Sequence, residues 1–170
     1  MKWFLIILSF LFLIPVGYYC FPEKKFPNNV MVDNIVVFKS KRELYAYSHS
    51  ECIKIYKISL GFHPRGKKQY QGDGRTPEGF YKINDKNPGS VCHKNLGISY
   101  PNQTDIDNAS KVHKPTGGDI KIHGMINGNS IIGKFHRWVD WTGGCIAVTD
   151  KEMDELYFHT PIGTPIEIRP

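Results

Sequence analysis

Apolar and polar positions divide the chain into three zones. From Trp3 to Tyr19 there is no charge, and only Ser9, Pro15 and Gly17 interrupt a Leu/Ile/Phe run behind Lys2. That is the layout of a signal peptide or a signal-anchor over residues 1–20. The run ends Val16-Gly17-Tyr18-Tyr19-Cys20, with tyrosines where a signal peptidase takes small residues, which favours an uncleaved anchor. Residues 21–31, with Pro22, Pro27, Lys24 and Lys25, read as a tether. Residues 32–170 form the third zone, one domain.

Within that domain, Ile35–Phe38, Glu43–Tyr47 and Ile53–Leu60 are β-branched and aromatic segments separated by short polar turns, which predicts antiparallel strands. Further strands are expected at Phe80–Ile83, Leu96–Tyr100, Ile120–His123, Cys145–Val148 and Pro165–Ile168, each bounded by Gly or Pro. The stretch Gly61–Gly79 is dense in Gly, Pro, Lys and Arg and predicts a long, turn-rich excursion of the functional kind. Two helices are predicted. Thr104–Val112 lies between Pro101 and Pro115, and Thr149–Phe158 opens with a capping box of Thr149 and Glu152. The fold class is mainly β with a few helices.

Length and composition narrow this further. With 170 residues, 41% apolar, 16 Gly and 11 Pro, the chain can bury one real core, and two large domains, disorder and a coiled coil are excluded. The net charge of +6 draws the protein to anionic surfaces. Its basic residues stand in scattered pairs, Lys24-Lys25, Lys41-Arg42 and Lys67-Lys68, so the footprint of a nucleic-acid binder is missing and no nucleic-acid partner is expected. Cysteines stand at 20, 52, 92 and 145 with no C-x-x-C pair, which offers neither a zinc ribbon nor a dithiol redox motif. Cys52 and Cys92 are free to pair in an oxidising compartment, but spacing alone does not join them.

The chemistry concentrates in the C-terminal third. Ile120-Lys121-Ile122-His123-Gly124 ends a strand on a His, and Trp141-Thr142-Gly143-Gly144-Cys145 begins one on a Cys. A thiol is mostly protonated at neutral pH, and a neighbouring imidazole is its usual activator, which makes Cys145 a candidate nucleophile and His123 its general base and acid. The glycines let the backbone turn into Cys145 and aim the N–H groups of Gly144 and Cys145 at a developing oxyanion. Each residue alone is better accounted for by a bland reading, a small core Cys and a strand-end His, and it is their joint context that reverses this. An activated Cys145 would alkylate rapidly below pH 7.

Several segments occur in a telling order: Gly-Asp-Gly-Arg-Thr-Pro-Glu-Gly-Phe-Tyr at 72–81, Ser99-Tyr100-Pro101-Asn102, Ile122-His123-Gly124, Asp140-Trp141-Thr142-Gly143-Gly144-Cys145 and Gly163-Thr164-Pro165-Ile166-Glu167-Ile168. Together they resemble the L,D-transpeptidase catalytic domain of the YkuD type, in the subgroup of murein L,D-transpeptidases and a related endopeptidase, from about Val32 to Ile168. The resemblance implies a β-sandwich or barrel-like domain behind the hydrophobic anchor, at the cell envelope on the periplasmic side of the inner membrane. It implies that Cys145 attacks the diaminopimelate carbonyl of a peptidoglycan tetrapeptide stem, expels D-alanine and passes the acyl group from a thioester to an amine. The acceptor is a second stem, giving a 3→3 crosslink, or an envelope lipoprotein. Water as acceptor makes a hydrolase, and loss of turnover leaves a wall-binding module. In the family the His at position 123 is oriented by the carbonyl of the next residue, here Gly124, and no cofactor or metal takes part.

The chain departs from the family signature at Gly143, where a second His is usual, and at Ala147, where Arg or Asn is usual. Arg137 is a candidate to replace the missing grip on a substrate carboxylate, without positional support. Tyr100 is a candidate for shaping the donor site, with a buried strand-end tyrosine as the alternative. Trp141 and Trp138 either stack on substrate or, more commonly, pack under the Cys loop. Asp73 and Arg75 are expected to pair within a turn, Lys67-Lys68 to be a solvated loop, and His63, His93, His113, His136 and His159 to be exposed. Twenty-two positions separate His123 from Cys145, a long spacing that makes Asn127–Phe135 a candidate insertion in the cleft wall.

Overall fold

A computed structural model of the chain describes residue 3 and residues 13–170. Most of the apolar run expected to be an anchor lies outside the described residues. Residues 13–20 are helical, and among the described residues no helix is long and apolar enough to cross a membrane.

Eight strands build one curled sheet, β1 (Asn34–Phe38), β2 (Glu43–Ser48), β3 (Glu51–Lys57), β4 (Gly79–Ser90), β5 (His93–Ile98), β6 (Lys121–His123), β7 (Ile146–Ala147) and β8 (Pro165–Arg169). Their spatial order is β3-β2-β1-β8-β4-β5-β6-β7. β1 and β8 run parallel, as do β6 and β7, and the other neighbours are antiparallel. The sheet curls until its ends meet: just beyond β3, Ser59 exchanges two backbone hydrogen bonds with Ala147 of β7, at 3.0 and 2.9 Å. Strand twist makes such curling natural, and closure hides edges that would otherwise stay unpaired.

Alternation fills the interior. Leu44 and Ala46 of β2, Ile35 and Val37 of β1, Ile166 and Ile168 of β8 and Tyr81 and Ile83 of β4 are all buried in one cluster. Each fully buried Leu or Ile contributes about 1.5–3 kcal/mol. Helix α1 (Gln103–Lys111) and helix α2 (Asp150–His159) flank the sheet, and α2 adds Met153 and Leu156 to the cluster. Its expected capping box is present, Thr149 with Glu152. α1 carries a second box, Asn102 with Asp105.

Three boundaries differ from expectation. The strand expected over Ile53–Leu60 ends at Lys57, because the Ile58 N–H turns to the Arg42 carbonyl and Ser59 leaves to pair with β7. β4 is twelve residues long, far beyond Ile83. Its Asn, Asp, Pro and Gly residues carry little strand propensity, and irregular register after Ile83 and Asn87 accommodates them. The insertion expected over Asn127–Phe135 overlaps Ser130–Trp138, which forms two short 3-10 turns broken at Gly133.

Cys52 and Cys92 are free thiols. Residues 21–32 lie along the domain: Phe26 stacks on His159 at 4.3 Å, the Val32 N–H donates to the His159 carbonyl at 2.8 Å, and Glu23 pairs with Arg137 at 2.9 Å.

Candidate active site

The curl sets the chemistry at the β6–β7 seam. Parallel pairing matches Ile122 with Ile146 and His123 with Ala147. Side chains two apart share a strand face, so Cys145, two before Ala147, projects to the same side as His123. Ile122 and Ile146 point the other way, into the core. The His123 imidazole is buried and its Nδ1 lies 2.7 Å from the Gly124 carbonyl oxygen. A carbonyl can only accept, so Nδ1 carries the proton and Nε2 is left basic. Trp141 meets the imidazole edge-on, with ring centroids 5.6 Å apart.

Gly124 is wedged tightly. A Cβ there would stand 2.6 Å from Asp150 Oδ1 and 2.9 Å from His93 Cβ. Asp150 accepts the Met125 N–H at 2.7 Å and the Ser130 hydroxyl, which locks the turn whose carbonyl aims His123.

The Cys loop is anchored from the opposite side. Asp140 accepts from Arg42 Nη2 at 2.7 Å and from the Leu60 N–H at 3.0 Å, and Thr142 exchanges backbone hydrogen bonds with Leu60 and Phe62. Gly144 has φ +136°, and a Cβ on it would lie 2.7 Å from the Arg75 carbonyl oxygen. A glycine is therefore required where the 61–79 excursion closes over the loop. Gly143 beside it is exposed with open space around it. The sequence aims the Gly144 N–H at an oxyanion, but in the structure that N–H donates to Thr142 Oγ1 at 3.1 Å, because the Thr142 side chain folds back over the turn. The Cys145 N–H finds no acceptor among the described residues and is the open donor of the loop.

Cys145 is half-buried, its sulfur 3.6 Å from the Asp119 carbonyl oxygen. Burial pushes its thiol above the ordinary range and the Asp119 charge adds to this, while the Lys121 main chain and charge oppose it. Burial also lowers His123, against the Gly124 hydrogen bond, and the Lys121 charge lowers it further. A raised thiol beside a depressed imidazole rests as the neutral pair, with no standing thiolate–imidazolium. Of the two behaviours that separate an activated from an ordinary thiol, this resting state corresponds to slow alkylation below pH 7, because desolvation outweighs the favourable contacts.

Other residues singled out by sequence fall elsewhere. Arg137 is buried between Glu23 and Glu152, at 2.9 and 2.7 Å, so its guanidinium is spent inside the fold and cannot meet a substrate. Tyr100 is buried, its hydroxyl donating to the Thr116 carbonyl at 3.1 Å. Trp138 is exposed against Tyr18 and Phe135 and packs under no Cys loop. Lys68 is buried on Asp73 at 2.8 Å, not solvated, and Asp73 takes the Arg75 backbone N–H, not its guanidinium. His136 is buried, its Nδ1 3.1 Å from Ser59 Oγ, and burial with the neighbouring Arg137 charge depresses it to about 4. The insertion seats Tyr18 and Tyr19 of the N-terminal helix. Sequence reasoning missed Asp140, Thr142, Asp150 and Lys121. The Asp-Trp-Thr run and the N-terminal Asp of α2 carried a signal for the first three.

Comparison with known proteins agrees with this architecture. The family model described as YkuD, L,D-transpeptidase catalytic domain, matches residues 33–168. A curated Escherichia coli (strain K12) protein named "Putative L,D-transpeptidase YafK" is 32% identical over 129 residues, 72% of this chain and 45% of the relative. Among solved structures, the helical cell shape determining protein Pgp2 from Campylobacter jejuni is 26% identical with TM-score 0.56, covering 82% of this chain and 48% of that one. The L,D-transpeptidase from Xylanimonas cellulosilytica shares the fold at 18% identity and TM-score 0.50, covering 85% and 64%. The chain thus spans about half the length of the first two relatives. On these matches the chain belongs to the YkuD family of L,D-transpeptidase catalytic domains.

Proposed function

We propose that this domain is a cysteine acyltransferase acting on peptidoglycan stem peptides at the cell envelope. The observation that carries the reading is the 2.7 Å contact of His123 Nδ1 with the Gly124 carbonyl, which presents a basic Nε2 on the strand face that also bears Cys145. From the neutral pair, Nε2 takes the thiol proton as Sγ attacks the diaminopimelate carbonyl of a tetrapeptide stem. The oxyanion forms against the Cys145 N–H. The imidazolium then protonates the departing D-alanine amine, which leaves a thioester on Cys145 and a neutral His123. An acceptor amine, from a second stem or an envelope lipoprotein, gives its proton to His123 as it attacks the thioester, and His123 returns that proton to the departing thiolate, restoring the neutral pair. Triad logic holds, with a main-chain carbonyl as third member. Water in place of the amine yields hydrolysis through the same thioester. The basic charge of the chain suits an anionic wall.

Mass spectrometry of the full chain incubated with diaminopimelate tetrapeptide muropeptides tests this. The wild type is expected to gain a covalent acyl adduct and to form 3→3 dimers, while Cys145→Ala loses more than about 10³-fold of activity. Adducts with tripeptide and no dimers identify a hydrolase. Unchanged turnover by Cys145→Ala would sink the Cys145 assignment, and no adduct on any stem would favour a wall-binding module.

A further inference from the structure

The failed candidacy of Arg137 leaves open which cation faces the substrate. β6 answers by alternation: Ile122 is in the core, so Lys121 and His123 project together from the opposite face. The Lys121 charge is felt at both Cys145 and His123. The side chain, 27% exposed, leaves the strand on the face that bears Cys145. Its carboxylate partner is Asp119 Oδ1 at 2.7 Å, a side chain 82% exposed, with Asp85 of β4 acting at longer range. An exposed ion pair of this kind is held weakly and exchanges readily. The Asp119 carbonyl already touches the sulfur, so an anion that displaces the Asp119 side chain would arrive beside the nucleophile.

We infer that Lys121 reads a free carboxylate flanking the scissile carbonyl, taking it in exchange for Asp119. This rests on the acyl-transfer reading above and makes the substrate class an anionic peptide. Two carboxylates of a tetrapeptide stem carry this chemistry, that of the terminal D-alanine and that of the diaminopimelate side chain.

Calorimetric titration of the full chain carrying Cys145→Ala distinguishes them, using three tetrapeptides: unmodified, with a C-terminal alaninamide, and with an amidated diaminopimelate carboxyl. One amidation is expected to weaken binding about tenfold or more and so to name the carboxylate read. Adding Lys121→Gln should weaken the unmodified peptide by a similar factor and abolish the discrimination. Lys121→Arg should keep it. Equal discrimination with and without Lys121, or none in either, overturns the inference. Adduct formation by the wild type on the same peptides reports separately on the reaction. An adduct without Lys121-dependent discrimination defeats only the carboxylate reading, discrimination without an adduct defeats only acyl transfer, and the absence of both defeats the two together.

Discussion

Two regions of this molecule bury ionisable groups, and they do so to opposite ends. In the 61–79 excursion, the Asp73 carboxylate is buried but accepts from Lys68 Nζ at 2.8 Å and from the N–H groups of Gln69, Tyr70 and Arg75 at 2.7, 3.3 and 3.0 Å. Burial alone would raise its pKa, yet those donors win and hold it below the ordinary value. At the β6–β7 seam, Cys145 and His123 are desolvated with far fewer partners, and each shifts toward its neutral form. A charge whose partners are complete is a structural bolt. Groups left incomplete keep their bonding capacity for something that arrives later.

The strongest way to break this comparison is to strip the bolt. Asp73→Ala leaves Lys68 buried without its partner and three N–H groups without an acceptor, and is expected to cost about 3–5 kcal/mol, read by urea denaturation. The same residue gives a pH test. Its folded pKa lies below the unfolded 3.8, so its contribution is present in full well above 3.8, shrinks as pH falls below that value and is gone below the folded pKa. Asp73→Asn should flatten that acid slope. An unchanged slope would show that the cluster does not hold the charge as described.

A smaller effect is expected where the excursion meets the site. Gly144→Ala places a methyl against the Arg75 carbonyl at a backbone angle that L-residues avoid, costing about 1–3 kcal/mol. Activity should fall with it, since the Cys145 N–H would turn. Gly143→His, one position away in open space, is expected to change stability by no more than about 0.5 kcal/mol. Similar losses in thermal denaturation for both variants would refute the tight closure of the excursion on Gly144.

The gentlest probe leaves the chain intact. Because burial raises Cys145 above its ordinary 9.0, the rate of iodoacetamide alkylation in the resting protein should still be climbing at pH 9. A plateau reached below pH 7 would mean a standing ion pair, and the neutral-pair description would fall.

The linear chain by itself determined the β-rich class, the Thr149–Glu152 capping box and the ordered segments that ally it with one family. Each depends on neighbours a few residues apart, through strand alternation, helix caps and glycine turns. The roles of His136 and Lys68 were illegible, because a polar residue declares itself buried only when a distant partner such as Ser59 or Asp73 is in place. Arg137 was equally opaque, since Glu23 and Glu152, which consume it, lie 114 and 15 positions away. The site itself was half legible: His123, Gly124 and Cys145 stood out, but the shared face of His123 and Cys145 exists only because β6 and β7 pair in parallel, a seam that Ser59 closes by pairing with Ala147 from the far end of the sheet. That contact spans 88 residues of sequence, and only tertiary pairing could put Lys121 on the face that bears Cys145 while burying Arg137 between two glutamates.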